Sequence, residues 1–331
     1  MRKLIKIIFF LLVSLNAEAS DSWSKEREKA KSLITVEKLE REVSFLADSI
    51  CQGRASGTRG NAEAAMWIRR KFDAVGLINM TDSWTQGFNV GQGVNGRNII
   101  GMLPGSKSIP CERYIIVGAH YDHLGMLDGK LYPGADSNAS GVTAMTSLAE
   151  IFGAMRKMGK IYNSNIIFVA FDAKEFDLKG SEALWSMIEY GRLRNPISGE
   201  TITKDKITLM VNIDQIGSSL APVNKERKDY MIMLGTQSLR RDRRELLHRC
   251  NIEEGLGMDI SLDYYGSENF TKIFYRLSDQ KVFVDNNLPA VLFTSGITMN
   301  NNKTWDRTDN LDLEVYIKRI RLMYHWIEKM L

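Results

Sequence analysis

Residues 114–125 read YIIVGAHYDHLG, and residues 165–175 read NIIFVAFDAKE. Each is a short run of β-branched and aromatic residues that stops at charge. Runs of this length and composition predict strands buried on both faces, because neither shows the polar alternation of a half-exposed strand. Similar runs at Asn98–Met102, Ile207–Ile213, Tyr230–Leu234 and Ala290–Thr294 complete a set of six. Helical spacing marks 36–49, 61–76, 139–157, 179–192, 238–250 and 312–330. In 61–76 the stripe is Ala64, Ala65, Ile68, Phe72 and Val75, closed by Gly76. Strands alternating with helices predict an α/β fold, with a mostly parallel central sheet and helices on both faces. In such sheets the ligand site lies beyond the carboxyl ends of the strands.

Four of those ends carry polar residues. They are His120-Tyr121-Asp122-His123, the loop Gly134-Ala135-Asp136-Ser137-Asn138-Ala139-Ser140-Gly141, Asp172-Ala173-Lys174-Glu175, and Asn212-Ile213-Asp214. Positions i and i+2 of an extended segment share a face, so His120 and Asp122 are expected to act together. A carboxylate behind an imidazole is the usual support of a metal-binding histidine. Four such ends in one α/β order point to a metal-type site.

The wider chain bounds the function. It has 331 residues, 44% hydrophobic and 25% charged, which excludes disorder, collagen and coiled coil. Residues 1–19 read as a secretory signal, with Arg2, Lys3 and Lys6, an apolar run from Ile7 to Leu15, and Ala17-Glu18-Ala19. The run is too short to span a bilayer. An exported protein, periplasmic or extracellular, is expected, with one domain over 20–331 and no membrane association after cleavage. Without those residues 41 basic and 39 acidic side chains remain, so no global charge draws the chain to nucleic acid. Cys51, Cys111 and Cys250 form no disulfide framework and are read as separate thiols. His248 and His325 fall in predicted helices and are read as surface residues. Residues 254–275 are read as an insertion, either a lid or a plain loop.

The motifs resemble the co-catalytic zinc aminopeptidases, peptidase family M twenty-eight. The resemblance runs from LADSICQGRASGTRGNAEAAMWIRRKF at Leu46 through GRNIIGMLPG, VGAHYDHLG, YPGADSNASG, FVAFDAKEFDLKGS, VNIDQIG and LPAVLFTSG to DRTDNLD. Eight pieces in one order imply the family's sandwich, a two-zinc centre, and a glutamate as general base. The resemblance places metal ligands at His120, Glu175 and Asp214, with Asp122 behind His120. Three positions depart from the family. Ser137 stands where the bridging aspartate belongs, with Asp136 one residue earlier. Lys174 stands at the general-base position. The second histidine is replaced by Trp305, or by Asn302 in the alternative register.

A neutral hydroxyl cannot offset two dications, indole has no lone pair for a metal, and a charged lysine cannot accept a proton. Zinc is therefore expected at one ion or none, and one ion needs Asp136 turned inward beside His120 and Asp214. The ammonium of Lys174 is expected to replace the lost metal charge, paired with Glu175 and Asp214. The reading favoured is an exported, non-catalytic relative that binds a peptide or protein partner. The alternatives are an active zinc exopeptidase with an altered mononuclear site and, more remotely, a glutaminyl-cyclase-like acyl transferase.

Overall fold

A computed structural model describes residues 23–91, 93–106, 111–219 and 227–331, so the signal read at 1–19 lies outside the described residues. The chain opens with helices α1 (Ser24–Lys31), α2 (Val36–Ala47) and α3 (Arg59–Val75). Strands β1 (Ile78–Asn79), β2 (Thr85–Gly91), β3 (Val94–Leu103) and β4 (Tyr114–His120) follow, then the hairpin β5 (Gly125–Leu127) and β6 (Lys130–Tyr132). Next come α4 (Gly141–Lys157), β7 (Asn165–Phe171), α5 (Lys179–Glu189), β8 (Ile207–Ile213), β9 (Tyr230–Leu234) and α6 (Arg241–Glu253). The last elements are β10 (Asp259–Ser261), α7 (Glu268–Phe274), α8 (Gln280–Asp285), β11 (Ala290–Thr294) and α9 (Leu313–Glu328).

Nine strands form one sheet in the order β1-β3-β7-β4-β8-β11-β9-β10, with β2 on β3. The middle four, β7-β4-β8-β11, are parallel; β3 and β9 join them antiparallel. The expected parallel character thus belongs to the centre of the sheet, and its flanks are mixed. Alternation along β4 divides the core. Ile115, Val117 and Ala119 pack with Phe72 of α3, Leu148 of α4 and Trp326 of α9. Tyr114 and Ile116 pack on the other face with Trp185 of α5 and Phe283 of α8. Both faces are covered, which is why this strand needs no polar residue before its end.

Local chemistry sets the helix ends. The Thr58 hydroxyl accepts from Asn61 N to start α3, and Gly76, at φ 85°, ends it in the left-handed conformation. Asp312 Oδ1 accepts from Val315 N at 3.2 Å and starts α9.

Arg54 ties the loops at the carboxyl end of the sheet together. Its guanidinium, fully buried, donates to Tyr121 O at 2.8 Å, Pro133 O at 2.7 Å and Gly134 O at 2.8 Å, and also to Leu46 O. Burial pulls its pKa down to about 10, yet it stays charged at neutral pH. The neighbouring Gly53, at φ 67°, has no room for a side chain: a Cβ there would lie 2.5 Å from Tyr132 O.

His325 is not a surface residue, as its helical position suggested. It is 3% exposed, and its Nε2 lies 2.8 Å from Glu254 Oε2. Lys31 Nζ reaches the same carboxylate oxygen at 3.0 Å, so α1, α6 and α9 meet at one ionic cluster. His248 is exposed as expected, and Cys51, Cys111 and Cys250 are free thiols. Among the described residues no helix is long and apolar enough to cross a membrane.

Two measurements test this framework. Arg54→Leu leaves its carbonyl partners unanswered in a dry core and is expected to cost at least about 3 kcal/mol in urea unfolding. For Glu254, burial opposes the charged form, but hydrogen bonds from His325 and Lys31 lower its pKa from 4.5 to about 2. A depressed carboxylate stabilises the fold above its unfolded pKa and loses that effect as pH falls toward the folded value. Glu254→Gln is therefore expected to lower stability at neutral pH and to flatten the acid-side loss of stability between those two values.

Candidate functional site

Parallel pairing brings three of the four polar strand ends together. His120 on β4 is in register with Phe171 on β7, and Gly118 with Asn212 on β8, so the residues after each strand share one edge. His120 Nε2 lies 3.3 Å from Asp214 Oδ1. Its Nδ1 faces the backbone oxygen of Asp122 at 3.1 Å and the Asp122 carboxylate at 3.6 Å. The Asp122 carboxylate accepts from the backbone N–H groups of Lys174 and Glu175, both at 3.0 Å. It therefore holds the β7 loop against β4 as well as backing His120. Lys174 Nζ lies 3.1 Å from Glu175 Oε1.

The charges in this group answer one another. Burial works against the His120 imidazolium, but Asp214 and Asp122 outweigh it and raise its pKa to about 10. Burial also works against the Asp214 carboxylate; His120 and Lys174 prevail and hold it well below the usual carboxylate range. For Lys174 burial is again opposed, here by Asp214, Glu175 and Asp122, and its pKa rises above the usual lysine range. The ammonium thus stays charged and has no lone pair with which to take a proton. His123 behaves differently. Burial first, then Arg54 and His120, push it well below its ordinary value, so its ring is neutral.

The loop between β6 and α4 completes the floor. Asn138 is fully buried and uses its whole amide. It donates to Ile213 O at 2.9 Å and His120 O at 3.2 Å, and accepts from Gln215 N at 2.9 Å and Gly141 N at 3.0 Å. Asp306 accepts from Asp136 N at 2.9 Å and Ser137 N at 3.1 Å. Burial and Asp136 raise its pKa to about 7. Gly141 begins α4 where a Cβ would lie 2.6 Å from Ile213 O, so only glycine lets the helix start this close to β8.

A single ion would need Asp136 turned inward beside His120 and Asp214, and the hydrogen bonds of Asp136 lie elsewhere. Asp136 Oδ1 accepts from Gly217 N at 2.8 Å and the Ser140 hydroxyl at 2.9 Å, on the side of the loop toward Arg319. It braces the loop instead of joining His120 and Asp214. Ser137 is buried and bound through its backbone to Asp306. Trp305 is 55% exposed. Asn302, the residue of the alternative register, lines a cavity of about 220 Å³ that opens beside Lys174 and Asp214. Phe274, Leu277, Leu292 and Ile297 form its apolar wall, and Gln215 and Asn301 also face it.

The 254–275 stretch supplies part of this wall. Tyr264 stacks on Phe274 with ring centroids 4.0 Å apart, and the Tyr264 hydroxyl accepts from Ile297 N at 2.6 Å. The segment is therefore docked against the cavity. Sequence reading missed several of these parts. Nothing in the sequence marks Arg54 as a tie between loops, and Asn138 carries no sequence mark of a buried, fully bonded amide. Asp279 is fully buried near Asp122 and Asp214, with its pKa raised to about 7 chiefly by burial.

The donor set does not fit a zinc centre of the family's kind. His120 and Asp214 face each other, Glu175 faces an ammonium, and Asp136 faces away. Among the described residues no three of His, Cys, Asp and Glu gather closely enough to hold a metal ion.

Similarity to known proteins agrees with the geometry of the scaffold. A probable zinc metalloprotease of Pyrenophora tritici-repentis is 29% identical over 204 residues, covering 56% of this chain and 41% of that protein. The chain thus spans about two fifths of the curated relative's length. The LapA aminopeptidase of Legionella pneumophila superposes with a TM-score of 0.68 at 19% identity, covering 93% of this chain and 75% of that one. The glutaminyl cyclase of Fimbriiglobus ruber superposes at 0.65 with 18% identity, covering 89% and 95%. These two likenesses establish the shared fold. The model of Peptidase family M28 matches residues 98–327, a span that holds every strand end of the site, and the chain belongs to that family.

Proposed function

We propose that this protein is an exported, non-catalytic member of the family that binds a peptide or protein partner at the strand-end site. The observation that carries the reading is the ion pair of Lys174 with Glu175, 3.1 Å apart, at the position of the family's general base. Family membership implies zinc, which when bound polarises a carbonyl and activates water. Here the lysine supplies a fixed positive charge to the same acids. The pairing accounts for three substitutions at once. A site balanced by an ammonium needs neither a bridging carboxylate at Ser137 nor an imidazole at Trp305.

The chemistry left in the site supports binding better than turnover. Hydrolysis needs a base that can take a proton from water and return it to the leaving amine. Charged Lys174 cannot, and Asp214 and Glu175 are engaged with cations. What remains is a concave, partly apolar cavity with amide groups at its edge, a common form of binding site. The juxtaposition of His120 and Asp214 favours the second reading, a mononuclear zinc exopeptidase, because these two donors already face one another.

Metal content separates the two readings. After zinc loading and buffer exchange, the mature chain is expected to carry near-zero zinc by inductively coupled plasma mass spectrometry and to leave aminoacyl-nitroanilides intact. One zinc per chain with hydrolysis would establish the exopeptidase instead. The role of Lys174 has its own test. Lys174→Glu removes the internal cation and adds a carboxylate, so zinc uptake is expected to rise above wild type. Uptake no higher than wild type would mean that Lys174 does not stand in for a metal.

A further inference from the structure

We propose that the cavity beside Lys174 takes an uncharged, internal segment of a polypeptide, anchored by one large apolar side chain, and not a chain terminus. This deepens the binding reading above and rests on it. The first argument is charge. A site that selects a free N-terminus needs an unpaired acid for the ammonium, and one that selects a C-terminus needs an unpaired cation. Here Asp214 is 3.3 Å from His120, Glu175 is 3.1 Å from Lys174, and Asp122 accepts two backbone N–H groups. Lys174 and Asp214, the charged residues that line the cavity, are thus both answered from inside the protein. A terminal charge entering this cavity would lose water without gaining a counter-ion.

The second argument is size and lining. The cavity is about 220 Å³, smaller than the roughly 300–1,000 Å³ of ordinary small-molecule sites. It has room for one large side chain against Phe274, Leu277, Leu292 and Ile297. At its edge Gln215 Nε2 donates to Asn301 Oδ1 at 3.1 Å. That bond uses one donor and one acceptor and leaves the Gln215 oxygen and the Asn301 NH₂, the complement of a peptide unit. The apolar wall also reaches the surface: Leu277 is 51% exposed and Ile297 37%.

The test uses the purified mature chain and two short random-peptide libraries, one displayed between constant flanks and one with free N-termini. The flanked library is expected to yield binders that share one large apolar residue. A synthetic version acetylated at its N-terminus and amidated at its C-terminus should bind. Placing a free amine or carboxylate next to the apolar residue should weaken binding at least about tenfold, because that charge loses water without gaining a counter-ion. Leu277→Asp and Ile297→Asp, both at partly exposed positions, should abolish binding while keeping the thermal midpoint of wild type. Enrichment from the free-N-terminus library alone, binding unaffected by either variant, or capture of glycans on a sugar array without any peptide binder would overturn the proposal. Metal content keeps the two readings apart. A zinc-free chain that selects no flanked peptide sinks this inference alone, whereas stoichiometric zinc with hydrolysis sinks the non-catalytic reading beneath it.

Discussion

Parallel strands that end side by side in a dry core leave their terminal polar groups only one another for company. That constraint governs this protein. β4, β7 and β8 are buried along their length, and at their ends Asp122, Glu175 and Asp214 meet His120 and Lys174. Three carboxylates this close repel one another unless cations stand among them. Here His120 and Lys174 stand among them, and the raised pKa of each follows from that neighbourhood.

The scaffold around the site does not depend on the metal. Arg54 binds loop carbonyls, Asn138 stitches β4 and β8 to the start of α4, and Asp306 receives the N–H groups of Asp136 and Ser137. Each of these bonds goes to backbone, so each holds whatever side chain is presented from the loop.

The fold was largely legible. The six apolar runs became β3, β4, β7, β8, β9 and β11, and the end of α3 fell at Gly76, because burial on both faces and left-handed glycine leave plain marks on a sequence. The short pieces were not. β1, β10 and the β5–β6 hairpin are two or three residues long, and their existence depends on a neighbour offering a free edge. For the site, the sequence placed His120, Asp122, Lys174, Glu175 and Asp214 at adjacent strand ends, and pairing register brings them into contact. It misjudged His325, since the direction of a side chain is set by what lies on each side of its backbone.

By itself the sequence determined which residue types stand at the strand ends: His120, Asp122 and His123 after β4, Asp172, Lys174 and Glu175 after β7, and Asp214 after β8. Those are facts of composition at fixed positions, and they survive any packing. Only the tertiary structure decided how the charges pair. Whether Lys174 meets Glu175, whether Asp136 faces His120 or Gly217, and whether His325 is exposed or locked to Glu254 depend on contacts between segments far apart in the chain. Coulomb energy falls with distance and rises as water is excluded, and both distance and dryness come into being only when the sheet and its loops have closed.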